Sequence, residues 1–246
     1  MAFDGTAYHG WQIQPGAPSI QETVETVLST LLKIPTRVTG CGRTDTGVHA
    51  SMYVAHFESP SGVYEALGQN PEQRVFRINR FLPRDIVVYG IKEVPEDLHA
   101  RFSAIERTYT YWISSRKPLF DRQQVHHVYG RLDLEAMGVC GEILRKTRDF
   151  SSFARLHSDT KTNECSLTRV QWTPLEHGYR FDISADRFLR NMVRSIVGTL
   201  LEVGMGKSDP DRFEQIVRAK NRSAAGESAP AKGLFLSDVR YAGYAP

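Results

Sequence analysis

The sequence predicts an α+β fold made of two ferredoxin-like split βαβ modules, each with an antiparallel sheet and helices packed on one face. Three observations predict it. Strand-like and amphipathic helical segments follow one another in the order β-α-β-β-α-β. A similar series begins again after about residue 104. The length of 246 residues also exceeds the ~100–200 residues of one typical domain. We therefore expect two domains, residues 1–104 and 105–246.

The N-terminal half begins with a clearly bounded helix. Ser19 to Glu22 form a capping box, with Ser19 as the N-cap and Glu22 at the third helical position. Apolar residues then recur at helical spacing until Pro35 interrupts the pattern. A second helix is expected over 72–82, because Pro83 follows its last apolar position. Strands are expected at 36–41, 51–58 and 85–94.

The C-terminal half contains the most regular helical pattern of the chain. An apolar stripe at i, i+3, i+4 spacing predicts a helix over 187–203, with Gly204 as its C′ cap. Arg187, Arg190 and Arg194 would lie on one flank of it, where a half-buried arginine can pair with an interior carboxylate. The alternative is a solvated helix edge. The other elements expected here are helices from Asp133 and at 210–219, and strands at 108–114, 165–173, 179–185 and 234–241.

Composition excludes several classes of protein. A net charge of +3 and a pI near 8.7 are only mildly basic and do not by themselves indicate nucleic-acid binding. The three cysteines, Cys41, Cys140 and Cys165, form no C-x-x-C pair, and no H-E-x-x-H is present. We therefore expect no disulfide framework, no metal and no cofactor. Without a long apolar run or a leader pattern, we expect a soluble, cytoplasmic protein and no membrane partner.

The most informative segment is G-R-T-D-T-G-V-H-A, residues 42–50, between two predicted strands. Gly42 and Gly47 allow the tight turns and close backbone approach of a loop around a ligand. Asp45, on such a loop and near Arg43, has the chemistry of a nucleophile or general base. Taken alone, the loop is more typical of a surface turn that an aspartate caps.

Aromatic and basic residues elsewhere suggest contacts with an unpaired base or with phosphates. Tyr109 and Tyr111 share one face of a predicted strand and are placed to stack a base, although packing in the core is the commoner use of such tyrosines. Arg74, Arg77 and Arg80 recur every three residues on a predicted helix, which is typical either of a phosphate-binding stripe or of a solvated face.

Seven motifs in order resemble the successive signatures of the tRNA pseudouridine synthase A (TruA) family, and together they cover essentially the whole chain. They are D-G-T-A-Y-H-G-W-Q-x-Q from Asp4, G-R-T-D-T-G-V-H-A from Gly42, H-A-R-F-S-A from His99, R-T-Y-x-Y from Arg107, D-F-S-S-F from Asp149, F-L-R-N-M-V-R from Phe188 and G-L-F-L from Gly233. The resemblance implies the pseudouridine synthase fold, in which two RRM-like subdomains surround the active-site cleft.

The resemblance also implies an activity and roles for five residues. The family isomerises uridine to pseudouridine at positions 38, 39 and/or 40 of the tRNA anticodon stem-loop, without metal or cofactor. Asp45 would be the nucleophile that attacks ribose C1′ or uracil C6, or else the base that removes a ribose proton. Arg194 would pair with Asp45 and keep it ionised. Tyr109 would pack on the uracil and remove its C5 proton. Arg43 would fill the space of the flipped base, and Leu234 would contribute to the apolar floor beneath it.

The resemblance further implies a homodimer that binds tRNA across both subunits. Family members carry several strand residues before the D-G-T motif, and the first strand here looks truncated, so we expect that the true start lies upstream of Met1 or that this chain is a truncated product. Two other functions remain open. A non-catalytic tRNA-binding or folding-helper protein would use the same cleft without turnover. A nucleoside hydrolase would use Asp45 to stabilise a ribosyl cation and would release free uracil.

Overall fold

The computed structural model describes residues 1–60, 64–155 and 162–244. The chain divides into two compact units. The N-terminal unit comprises Met1–Ile105 and the C-terminal segment that begins at Leu236, and the C-terminal unit comprises Glu106–Phe235. Each unit combines helices with mainly antiparallel strands, so the α+β class is confirmed. The division into domains of residues 1–104 and 105–246 stays a prediction, because compactness does not measure independent folding.

The elements are given in chain order. The helices are α1 (Ile20–Leu32), α2 (Pro71–Phe81), α3 (Leu134–Lys146), α4 (Met192–Gly204) and α5 (Pro210–Ala219). The strands are β1 (Ala2–Phe3), β2 (Thr39–Gly40), β3 (His49–Ala50), β4 (Ala55–His56), β5 (Ile86–Val87), β6 (Ala104–Ser114), β7 (His126–His127), β8 (Leu167–Leu175), β9 (Gly178–Ala185) and β10 (Leu234–Tyr241).

The N-terminal unit contains short strands beside two helices. Its strands follow the order β5-β1-β3-β10, and β2 pairs separately with β4. The predicted cap of α1 is confirmed, because the Ser19 side chain accepts the Glu22 N–H at 3.2 Å. The helix ends at Lys33, which has a left-handed conformation. Its apolar stripe is buried, as the periodicity predicted.

The strands of this unit are shorter than the sequence predicted. The segment 85–94 forms a strand only at Ile86–Val87. Its next residue, Val88, bonds instead to a side chain: the Asn79 amide accepts the Val88 N–H and donates to its carbonyl, both at 2.8 Å. The backbone of Val88 is thereby satisfied without a neighbouring strand, and the ladder stops at Val87.

The C-terminal unit is organised around β6. Strand β6 pairs with β9 in antiparallel register from Arg107↔Ala185 to Ser114↔Gly178, and with β7 in parallel. Strand β8 covers the other edge of β9, with α3 packed against β8 and also in contact with α4 and α5. Buried apolar side chains of these elements form the core of this unit.

The start of α4 corrects the predicted helix over 187–203. The helix begins only at Met192, because Asn191 has φ 63° and a left-handed residue cannot continue a right-handed helix. Arg187 and Arg190 therefore precede the helix, and only Arg194 lies on it. The helix also runs one residue further than predicted: Gly204 is its last residue, not its C′ cap.

One face of α4 is covered by the segment 224–230. The Gly226 N–H donates to Thr199 Oγ1 at 3.1 Å, and the Ala229 N–H donates to the Arg194 carbonyl at 2.9 Å. This close approach depends on Gly198, because a Cβ there would lie 1.8 Å from the Glu227 carbonyl oxygen.

We predict that Gly198→Ala lowers the free energy of unfolding, whereas Gly138→Ala raises it. Both glycines are helical, but a Cβ at Gly138 would meet nothing within 4 Å. Alanine in an open helical site stabilises by roughly 0.5–1 kcal/mol, whereas overpacking costs about 1–3 kcal/mol. Chemical denaturation of both variants measures the two effects. Equal stability of the two variants would show that segment 224–230 does not constrain α4.

Candidate active site

The Asp45 loop connects β2 to β3 and is tightly turned. The Val48 N–H donates to the Asp45 carbonyl at 3.1 Å, and Gly47 has φ 75°. The Asp45 residue is half-buried, whereas Arg43 is exposed. The carboxylate-bearing residue Asp45 is therefore partly accessible, and Arg43, two residues earlier on the same loop, faces solvent.

The N-terminal segment 4–12 holds this loop by direct backbone contact. A Cβ on Gly10 would lie 2.2 Å from the Thr44 carbonyl oxygen, and one on Gly5 would lie 2.0 Å from that of Val48. Two hydrogen bonds cross the contact: Gly47 N–H to the Tyr8 carbonyl at 3.2 Å, and Trp11 N–H to the Thr44 carbonyl at 3.4 Å. Only glycine allows main chains to approach this closely, so the D-G-T-A-Y-H-G motif and the Asp45 loop form one backbone assembly.

A buried aromatic cluster supports the start of the loop. The Tyr53 hydroxyl donates to the Gly42 carbonyl at 2.5 Å. The Tyr53 ring stacks on Trp11 with centroids 4.3 Å apart and contacts Phe3 at 5.3 Å. Gly40 lies against both rings, since a Cβ there would be 2.0 Å from the Tyr53 hydroxyl. The position of Gly42 is thus fixed by a side chain that is almost fully buried.

Two further polar contacts secure the ends of this assembly. His49, which is fully buried, accepts the Gly5 N–H at Nδ1 at 3.1 Å, and Asp4 Oδ1 lies 3.1 Å from the same nitrogen. The Tyr8 hydroxyl donates to Asp85 Oδ1 at 2.8 Å. Burial, followed by this bond to a carboxylate, raises the pKa of Tyr8 to about 12, so its phenol stays protonated as a donor.

The two tyrosines that share a face of β6 have different surroundings. Tyr109 is half-buried, and its ring meets Phe188 edge to face, with centroids 5.1 Å apart. Tyr111 is fully buried and donates from its hydroxyl to the Pro230 carbonyl at 2.8 Å. Burial also raises the pKa of the Tyr111 phenol. Tyr111 is therefore a core residue, and only Tyr109 retains partial access for a ligand.

Arg194 lies in the first turn of α4 and is half-buried. Its Nε donates to the Ala229 carbonyl at 2.8 Å, while its own carbonyl accepts the Ala229 N–H at 2.9 Å. Asn191 anchors Ser228, the residue before Ala229, because the Asn191 side-chain amide donates to Ser228 Oγ at 2.7 Å. Leu234 is buried at the start of β10. Segment 228–234 therefore connects the surroundings of Arg194 and Leu234.

The predicted arginine stripe on α2 is only partly available for a ligand. Arg74 is half-buried: its Nε donates to the Gly68 carbonyl at 2.9 Å, and its guanidinium lies 4.0 Å from the Tyr64 ring centroid. Arg77 and Arg80 are exposed. Among the described residues, no cluster of three or more His, Cys, Asp or Glu side chains is placed to hold a metal ion. In the same part of the chain, no helix is long and apolar enough to cross a membrane.

The sequence placed Asp45, Arg43, Tyr109, Arg194 and Leu234 in the site, and the structure puts the first two on one loop and the other three in the C-terminal unit. Sequence reasoning missed the residues that hold the loop, which are Gly5, Tyr8, Gly10, His49 and Tyr53. The sequence shows Gly5 and Gly10 within D-G-T-A-Y-H-G, but no local pattern indicates which main chain each of them contacts.

Comparison with known proteins places the chain in a family. A family model described as tRNA pseudouridine synthase matches residues 147–242. The tRNA pseudouridine synthase A of Bacteroides fragilis is 48% identical over 242 residues, which cover 98% of this chain and 94% of that protein. The chain belongs to the tRNA pseudouridine synthase A family. The proteins of that name from Bacteroides thetaiotaomicron and Bacillus licheniformis are 47% and 40% identical, each covering 98% of this chain and 88% and 97% of the relative, respectively.

Membership in the tRNA pseudouridine synthase A family confirms the family expected from the seven motifs. It also identifies the chain as a member of a family of isomerases. The α+β architecture of helices and mainly antiparallel strands agrees with a pseudouridine synthase fold.

We predict that Gly10→Ala displaces the Asp45 loop, whereas Gly16→Ala does not. Both glycines have positive φ, 87° and 72°, so both variants carry backbone strain of about 1–2 kcal/mol. Only Gly10 faces the Thr44 carbonyl; around Gly16 a Cβ would meet nothing within 4 Å. Hydrogen–deuterium exchange of the peptide covering 42–48 is expected to rise in Gly10→Ala alone. Unchanged exchange in Gly10→Ala would contradict the backbone contact as the support of the loop.

Proposed function

We propose that this protein isomerises uridine to pseudouridine at positions 38, 39 and/or 40 of the tRNA anticodon stem-loop, with Asp45 as the nucleophile. The observation that carries the proposal is the match, over 98% of the chain, to proteins named tRNA pseudouridine synthase A. The geometry of the Asp45 loop supports it, because a carboxylate on a backbone-braced loop is preorganised for attack.

The reaction breaks the N-glycosidic bond of the uridine, rotates the uracil and rejoins it to the ribose through C5. An Asp45 carboxylate oxygen would form a transient bond to ribose C1′ or to uracil C6, or would remove a ribose proton. In each case the proton on C5 is lost in the last step and uracil N1, whose bond to the ribose has been broken, gains one proton. The reaction is therefore balanced without an oxidant or a reductant. The chemistry asks for a nucleophile, a proton acceptor and a site from which bulk water is excluded.

Two residues of the C-terminal unit would assist Asp45. We propose that Arg194 keeps the Asp45 carboxylate ionised, a role supported by the two bonds that fix Arg194 to Ala229. Tyr109 would pack on the uracil and accept the C5 proton, and its half-buried ring against Phe188 suits stacking. A pH–activity profile of Arg194→Gln tests the first role. Without the arginine, Asp45 would be protonated at higher pH, so the fall in activity at acidic pH is expected to begin at a higher pH than in the wild type. A fall at the same pH in both proteins would contradict the role.

Arg43 and Leu234 would help to hold the uridine outside its helix. A base in a stem must leave the stack, at a cost of a few kcal/mol. We propose that Arg43, which is exposed, occupies the vacated space, and that Leu234, which is buried, lines the floor under the base. Fluorescence of 2-aminopurine beside the target uridine reports flipping, and an unchanged signal with Arg43→Ala would contradict the role of Arg43.

We further propose that the protein is cytoplasmic and works as a homodimer on tRNA. A net charge of only +3 is small for a binder of a polyanion, and two subunits would pool their basic surfaces. The affinity for tRNA would then fall steeply as salt rises. Analytical ultracentrifugation measures the oligomeric state directly, and a monomer at working concentration would contradict the dimer.

We predict that Asp45→Asn abolishes pseudouridine formation while tRNA affinity stays close to that of the wild type. The amide keeps the size of the side chain but removes the nucleophile, so the rate of pseudouridine formation falls by at least about 10⁴-fold. Asp97→Asn, at an exposed aspartate of the same unit, is the matched control and retains activity. Site-resolved detection of pseudouridine in an unmodified tRNA pool measures both variants.

The same assay separates the two other functions. A non-catalytic tRNA-binding protein gives no pseudouridine with the wild type, and a nucleoside hydrolase gives free uracil. Turnover by Asp45→Asn at the wild-type rate would remove Asp45 from the mechanism.

We predict that Tyr109→Phe slows pseudouridine formation by about 10²-fold or more without weakening tRNA binding. Phenylalanine keeps the stacking surface and removes the phenolic oxygen that accepts the C5 proton. Tyr129→Phe, at an exposed tyrosine of the same unit, is the control and keeps its rate. Single-turnover rates with saturating enzyme separate the chemical step from binding. Full activity in Tyr109→Phe would rule out proton abstraction by Tyr109.

A further inference from the structure

The H-A-R-F-S-A motif, residues 99–104, holds an aromatic ring in solvent. Phe102 is 76% exposed, and the roles proposed for the reaction leave it unassigned. A phenylalanine that stays in water forfeits the favourable free energy of burying its ring. An isolated exposed ring on a loose loop would need no explanation. The turn that carries Phe102 is far from loose.

The turn is closed by four hydrogen bonds within five residues. His99 donates its N–H to Ser103 Oγ and accepts the Ser103 N–H at its carbonyl, both at 2.9 Å. Its imidazole Nδ1 accepts the N–H groups of Arg101 at 3.0 Å and Phe102 at 3.2 Å. The His99 side chain therefore fixes the backbone on which the exposed ring stands.

Two side chains of the N-terminal unit, His56 and Tyr241, anchor the same turn. Ala100, itself buried, donates its N–H to His56 Nδ1 at 3.1 Å and accepts the Tyr241 hydroxyl at 2.6 Å. Burial, together with the neighbouring His99, lowers the pKa of His56. His56 is therefore neutral near pH 7, and its Nδ1 keeps the lone pair that the bond to Ala100 requires.

The surroundings of the ring leave most of it open. The His99 imidazole packs against it with centroids 4.4 Å apart and planes at 33°, and the Arg101 guanidinium lies 5.5 Å from its centroid. A preordered aromatic ring with a cation beside it matches the two components of a nucleotide. A base stacks on the ring, and a cation close by favours the charge of the phosphate.

An unpaired base fits this surface better than a second copy of the chain does. An apolar protein interface would have to cover Arg101 together with Phe102 and would lose the hydration of a charged group. RNA gains from the same cation. An anticodon stem-loop presents unpaired bases, and the stacking faces of paired bases inside its stem are already occupied.

We infer that Phe102, on the turn fixed by His99, is a stacking platform for an unpaired base of the tRNA substrate. The inference rests on the proposed function for the identity of the RNA. Phe102 contributes to substrate binding and takes no part in bond breaking or proton transfer.

The test compares Phe102→Leu, Phe102→Trp and a matched control, Tyr89→Leu, at a tyrosine that is 64% exposed in the same unit. Fluorescence anisotropy at fixed salt measures the dissociation constants of an anticodon stem-loop RNA and of a blunt RNA duplex. Phe102→Leu is expected to bind the stem-loop about tenfold more weakly, because leucine keeps apolar bulk but loses the π face. Phe102→Trp and Tyr89→Leu bind as the wild type does, and none of the variants changes duplex binding. The KM for the stem-loop rises in Phe102→Leu while kcat is unchanged.

Three results would overturn the inference: wild-type affinity of Phe102→Leu for the stem-loop, an equal loss on the duplex, or a changed oligomeric state in light scattering. A change in oligomeric state would mean that the ring covers a second copy of the chain. Unchanged melting temperatures show that the variants fold, as expected for an exposed position. A wild-type protein that binds the stem-loop through Phe102 but forms no pseudouridine would overturn the proposed function and leave this inference standing.

Discussion

The position of the Asp45 loop in the N-terminal unit depends on the contact between two stretches of main chain at Gly5 and Gly10. Carbonyl oxygens of Val48 and Thr44 occupy the space in which any side chain at these glycines would begin. Because the contact is between backbones, it fixes the path of the Asp45 loop more tightly than interdigitated side chains would, since side chains can change rotamer. The loop keeps a half-buried carboxylate in one place, and the cost of ordering it is met by the fold before any substrate binds.

Close contacts at glycines also position residues of the C-terminal unit. Gly198 lies against the Glu227 carbonyl, and a Cβ on Gly233 would lie 2.7 Å from Cζ of Tyr111. The chain from Gly226 to Leu234 accepts a hydrogen bond from Arg194 of α4 at the Ala229 carbonyl and one from Tyr111 of β6 at the Pro230 carbonyl. One segment, 226–234, therefore sets the helix that carries Arg194 relative to the strand that carries Tyr109, and it ends at Leu234. Glu227 and Gly233, near the two ends of that segment, each take part in one of these close contacts.

Local sequence signals predicted some elements well and others only in part. The capping box at Ser19 and the periodicity of α1 predicted that helix because both depend on residues within one or two turns. The start of α4 was predicted five residues early, because an apolar stripe continues through Asn191, and a left-handed conformation leaves no trace in hydrophobic spacing. Strand β5 was predicted too long because the side chain of Asn79, on the preceding helix α2, satisfies the backbone of Val88, and strand periodicity does not register such a bond. In the site, the reactive residue types were visible from the sequence. The glycines that brace their loop were not, since their contacts are tertiary.

The way in which the loop is held separates the stability of the fold from its chemistry. The hydrogen bonds that fix the loop use main-chain atoms of Gly42, Thr44, Asp45 and Gly47. Replacing the Asp45 side chain removes none of these bonds, so the proposed nucleophile can be exchanged without losing the main-chain contacts that brace the loop. The turn that carries Phe102 has the same property, since none of the hydrogen bonds described for it uses the Phe102 side chain. The half-buried carboxylate of Asp45 and the exposed ring of Phe102 can therefore each be exchanged while the backbone beneath it stays in place.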